Sequence, residues 1–101
     1  MGEFVAVAKA SEVPAGGTKA VNAKGRDIGL FNVGGTVYAM DGVCKHAGGP
    51  LGEGELDGSI VTCPLHGWQY DVCSGQCKTA PGLKQQQYNV KVEGGTIFVE
   101  V

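Results

Sequence analysis

Apolar positions in this chain fall in short runs, and glycine or proline stands between the runs. Glu3–Ala8, Thr18–Lys24, Asp27–Val33, Thr36–Asp41, Gln87–Glu93 and Thr96–Val101 each read as a strand. In the last of them Ile97, Val99 and Val101 alternate with Thr96, Phe98 and Glu100, the period of a strand with one covered face. Thr36–Asp41 does not alternate cleanly, as expected where both faces are partly covered. Gly34-Gly35 and Gly94-Gly95 join neighbouring runs, and tight hairpins need the positive φ that glycine adopts freely. The longest glycine-free stretches, Glu3–Ala15 and Leu83–Glu93, lack the i, i+3, i+4, i+7 pattern of an amphipathic helix. The two ends of the chain therefore predict an all-β, antiparallel sandwich or barrel.

The middle, about residues 42–82, is different. Only Ser59–Thr62 and Trp68–Val72 look like strands there, with turns at Asp57-Gly58 and Ser74-Gly75. All four cysteines, both histidines and the single tryptophan lie in this stretch. It reads as an insert of loops organised around something other than a hydrophobic core. Length and composition narrow the function. A chain of 101 residues is one domain, 1–101, too short for a cofactor cleft between two lobes. A net charge of −2 from 8 basic and 10 acidic residues gives no footprint for nucleic acid. No apolar stretch approaches the roughly 18–20 residues of a membrane-crossing helix. Glu3 stands where a secretory leader has basic residues, so a cytoplasmic location is expected. No dinucleotide fingerprint is present, and no nucleophile–base constellation stands out.

The chemistry is concentrated in Cys44-Lys45-His46, then sixteen residues, then Cys63-Pro64-Leu65-His66. Each half offers one thiol and one imidazole, and each is followed by backbone-permissive residues: Gly48-Gly49-Pro50 and Gly67. Taken singly, each of the four is as readily a small buried thiol or a satisfied imidazole. Taken together, the only two histidines, each two or three positions after a cysteine, make coincidence a poor account. A structural zinc ion accepts two Cys and two His, but its usual order pairs cysteines in one knuckle and histidines in the other. Mixed pairs suit a two-iron site in which each loop gives a thiolate to one iron and an imidazole to the other.

With Gly67-Trp68-x-Tyr70-Asp71, Gly75 and Pro81-Gly82 following the second pair, the chain resembles the Rieske-type [2Fe–2S] ferredoxins. Its nearest likeness is to the small ferredoxins of bacterial ring-hydroxylating oxygenase systems. The resemblance implies a Rieske-like β-sandwich base with a small cluster-binding subdomain inserted at about 42–82. It implies one [2Fe–2S] cluster, with Cys44 and Cys63 on the inner iron and His46 and His66 on the outer. It further implies a monomeric one-electron carrier, not an enzyme, in aromatic hydrocarbon catabolism. The donor would be an NADH-dependent flavin reductase and the acceptor a terminal oxygenase, each docking transiently near His46 and His66. The alternative is the Rieske small subunit of a larger redox enzyme such as assimilatory nitrite reductase.

Departures from the high-potential Rieske proteins of cytochrome bc complexes set a further expectation. Those carry an extra cysteine in each ligand loop, joined as a disulfide, where this chain has Gly49 and Leu65. They also place a serine where this chain has Trp68. Hydrogen bonds to cluster sulfur raise the potential, so losing the serine lowers it. Tyr70 is expected to keep one hydroxyl contact to a ligand sulfur. Pro50, Leu51, Leu65 and Pro81 are expected to form an apolar rim around the loops. Cys73 and Cys77 read as spectator thiols in preference to a disulfide, near each other across the Ser74-Gly75 turn.

Overall fold

A computed structural model of the chain describes residues 2–44, 49–65 and 67–101. Those residues form β1 Phe4–Lys9, β2 Thr18–Ala23, β3 Arg26–Val33, β4 Thr36–Asp41 and β5 Glu55–Asp57. There follow β6 Ile60–Thr62, β7 Gln69–Asp71, β8 Gln87–Tyr88, β9 Val90–Glu93 and β10 Thr96–Glu100. Ala10–Glu12 and Leu51–Glu53 are single 3-10 turns. All the strand pairings are antiparallel, in three sheets ordered β1-β10-β9, β2-β3-β4-β8 and β5-β6-β7. Among the described residues no helix is long and apolar enough to cross a membrane.

The four-stranded sheet is the middle layer, and period-two alternation explains how it serves two cores. On β3, Ile28 and Leu30 enter one core while Phe31 enters the other. On β4, Ala39 and its neighbour Met40 divide in the same way. This is why Thr36–Asp41 shows no clean alternation in sequence. The first core also holds Val13, Ala23, Ile97 and Val99, packed between the four-stranded sheet and the β1-β10-β9 sheet. The second holds Leu51, Val61, Tyr70, Val72, Cys77, Cys44 and Cys63. Each fully buried aliphatic side chain contributes roughly 1.5–3 kcal/mol over its exposed state.

The hairpin turns follow the glycine pairs. Gly34 and Gly35 have φ of 59° and 101°, and Gly94 and Gly95 have 58° and 78°. Asn32, buried beside the first turn, ties two loops together. Its Nδ2 donates to Val13 O at 2.7 Å, and its Oδ1 accepts from Gly35 N at 2.8 Å. Asn32→Ala strands both partners and is expected to cost about 2 kcal/mol. In urea unfolding that appears as a midpoint lowered by about 1 M, at a slope of about 2 kcal/mol/M.

One strand expected from sequence divides in two. Gln87–Glu93 reads as continuous, yet Gln87 and Tyr88 pair with Met40 and Ala39, while Val90–Glu93 pairs with β10. The chain changes sheets at Asn89, a corner of the sandwich. β5 has no counterpart in the sequence reading.

Candidate metal centre

Two hairpin loops carry the ligand motifs. The first leaves β4 through Gly42-Val43-Cys44 and returns at Gly49. Cys44 N donates to Gly49 O at 2.8 Å, Val43 bridges Pro50, and Leu51 N donates to Gly42 O at 2.8 Å. The second joins β6 to β7. Cys63 N donates to Trp68 O at 2.7 Å, one step beyond the Thr62–Gln69 pair of the ladder. Gly67, with φ of 74°, takes the left-handed conformation that closes this short loop.

The two cysteines meet where the loops meet. Cys44 is 1% exposed and Cys63 2%. Burial pushes the Cys63 thiol above its ordinary pKa, a backbone hydrogen bond from Leu65 opposes that shift, and the neighbouring Cys44 thiol adds to it. At Gly49 the two loops are in close contact. A Cβ there would stand 2.7 Å from Cys63 Sγ and 3.2 Å from Leu65 Cβ. Gly49 and Leu65 thus oppose each other across the loops.

Tyr70, fully buried on β7, brings its hydroxyl to 3.3 Å from Cys44 Sγ, the sulfur contact expected of it. His46 and His66 lie outside the described residues, as do Lys45, Ala47 and Gly48. Among the described residues no group of three or more potential ligands converges, and of the four candidate ligands the thiol pair is the part described. Soft sulfur donors, buried side by side and approached by backbone N–H, fit the thiolate half of a Rieske site.

The surroundings correct one expectation. Leu51 is not part of an exposed rim. It is fully buried, because the 3-10 turn at Leu51–Glu53 folds its side chain into the second core. Leu65 at 46% and Pro81 are exposed as expected, and Val43 at 43% and Leu83 at 37% join them. None of the four cysteines is joined in a disulfide. Cys73 is exposed, and its hydrogen bond to Tyr38 pushes the Tyr38 hydroxyl above its usual pKa. Cys77 is buried and accepts from Ala80 N at 3.3 Å, so the pair occupies different environments on either side of the turn.

Residues 3–94 match the family Rieske [2Fe-2S] domain. The ferredoxin component of the naphthalene 1,2-dioxygenase system of Pseudomonas aeruginosa is 34% identical over 91 residues, covering 89% of this chain and 88% of that protein. A ferredoxin from Sphingomonas yanoikuyae B1 superposes with a TM-score of 0.88 at 28% identity, covering 98% of this chain and 99% of that one. A chain from a complex of reduced oxygenase and oxidised ferredoxin in carbazole 1,9a-dioxygenase gives 0.86 at 31% identity, covering 96% and 92%. The all-β architecture agrees with these structures. Extending over nearly the whole chain, these matches establish that it belongs to the Rieske [2Fe-2S] domain family and carries that family's cluster.

Proposed function

We propose that this protein is a cytoplasmic one-electron carrier, passing electrons from an NADH-dependent flavin reductase to a terminal aromatic-ring-hydroxylating oxygenase. The observation that carries the reading is the buried Cys44–Cys63 pair at the junction of two hairpin loops, in a chain similar end to end to dioxygenase ferredoxins. Cys44, His46, Cys63 and His66 hold the cluster, within a subdomain of about residues 42–82 in a single domain, 1–101. When bound, a Rieske cluster takes up and releases one electron through irons ligated by two Cys and two His. The chain's own residues set how readily it does so. Exposed Val43 and Leu65, on the two ligand loops, offer a small apolar face for transient docking near His46 and His66. An exposed free Cys73 thiol suits a reducing compartment.

The test is an EPR spectrum of the dithionite-reduced protein with iron and zinc quantified, followed by mixing with a naphthalene-type terminal oxygenase. A rhombic signal, about two irons per chain, and rapid reoxidation by the oxygenase are expected. A colourless, zinc-loaded protein that stays silent after anaerobic reconstitution would overturn the proposal.

Tyr70 supplies a sharper prediction. A thiolate has no proton, so the hydroxyl 3.3 Å away is the donor to Cys44 Sγ. Such a bond strengthens as negative charge accumulates on the sulfur, and it therefore favours the reduced state. Tyr70→Phe removes a preference of about 1 kcal/mol, which lowers the midpoint potential by about 40 mV. A redox titration followed by EPR checks it, against a wild-type value near the low end of about −150 to +300 mV.

A further inference from the structure

Gln85 has no part in the ligand motif, yet it is 1% exposed and joins three separate stretches of chain. Its side-chain Nε2 donates to Val43 O at 2.6 Å and to Asp41 O at 3.3 Å. Its backbone N donates to Gly75 O at 2.8 Å, and Asp41 N donates to Gln86 O at 2.8 Å. A Cβ on Gly75, whose φ is 82°, would stand 2.5 Å from Gln85 O, so the turn and the segment at Gln85 are in close contact.

The peptide unit between Val43 and Cys44 is therefore held at both ends. Its carbonyl accepts from Gln85, and its N–H donates to Gly49 O. A planar peptide fixed at both polar atoms leaves the Cys44 backbone little freedom to rotate. The bond to Val43 is made by a residue 42 positions away, from a segment outside either ligand loop.

Gln85 Oε1 is buried without a hydrogen-bond partner. A buried orphan acceptor loses its hydration and regains nothing. An apolar side chain of the same length would fill the space without that loss, so packing does not account for glutamine. What glutamine adds is the pair of N–H donors.

We propose that Gln85 is a positioning residue for Cys44: it clamps the Val43 carbonyl and so fixes where the Cys44 sulfur is presented. This rests on Cys44 being a cluster ligand. The experiment compares holo wild type with Gln85→Met, which keeps the length and removes both donors and the orphan oxygen. EPR line shape of the reduced protein, iron release to a ferrous chelator and thermal unfolding are read on the same samples. Shifted or broadened g features and iron release faster by about tenfold, the effect of one lost hydrogen bond, are expected. The unfolding temperature is expected to fall only modestly, since loss of the orphan oxygen offsets part of the cost of leaving the Val43 and Asp41 carbonyls without their donor. A wild-type spectrum and release rate would overturn the proposal. So would faster release that merely tracks a lower unfolding temperature with an unchanged spectrum. Should the Met variant fail to fold, Gln85→Asn, one methylene too short to span the gap, carries the same comparison. A wild-type sample with no rhombic signal would instead overturn the cluster reading, before any variant is compared.

Discussion

Cys63→Ser is expected to abolish the rhombic EPR signal and take iron from about two per chain to near zero, while Cys73→Ser leaves both unchanged. The contrast follows from where the two thiols lie. Cys63 is buried, bonded through its backbone to Trp68, approached by the Leu65 amide and next to Cys44. Cys73 is exposed and faces Tyr38. A serine hydroxyl at position 63 is a hard, weakly acidic donor that ionises far less readily than a thiol, and thiolate is the form that binds iron. The first core, with Val13, Ile28, Leu30, Ile97 and Val99, does not include position 63. The sandwich is therefore expected to remain folded, with a far-ultraviolet circular dichroism spectrum like that of wild type. A Cys63→Ser protein that kept its full signal would remove Cys63 from the ligand set, and with it the pairing of the two loops.

Much of this was legible in the sequence because it depends on local chemistry. Glycine pairs need positive φ, and Gly34-Gly35 and Gly94-Gly95 turn the chain where expected. The contact of the Tyr70 hydroxyl with a cysteine sulfur, expected from the resemblance, is met at 3.3 Å from Cys44 Sγ. What the sequence did not reveal depends on which distant segment covers which face. Leu51 looked like rim because it follows Gly48-Gly49-Pro50, but a single 3-10 turn carries it into the core. Gln87–Glu93 has no local break, and only the partners β4 and β10 reveal that it serves two sheets. Gln85 was unremarked for the same reason. A glutamine between Lys84 and Gln86 looks solvent-facing until β4 is seen against it. Cys73 and Cys77 share a turn, but Cys73 stays at the surface against Tyr38 while Cys77 is buried in the second core.

Gly49→Ala is expected to weaken cluster binding by roughly 5- to 150-fold, the range given by an overpacking cost of about 1–3 kcal/mol. Gly82→Ala, in the neighbouring loop, is expected to have no effect, since a Cβ there meets nothing within 4 Å. At position 49 the new methyl would lie 2.7 Å from Cys63 Sγ and 3.2 Å from Leu65 Cβ, closer than carbon and sulfur tolerate. Neither side yields easily. Cys63 is tied to Trp68 through its amide, and Gly49 is tied to Cys44 through its carbonyl. Relief therefore parts the two loops and disturbs both cysteines at once, one by contact and the other through its hydrogen bond. Iron release to a chelator, measured for both glycine variants beside wild type, checks the prediction. Equal rates in all three would mean that the loops can separate without cost, and that their close approach at Gly49 is not what holds the two thiolates in register.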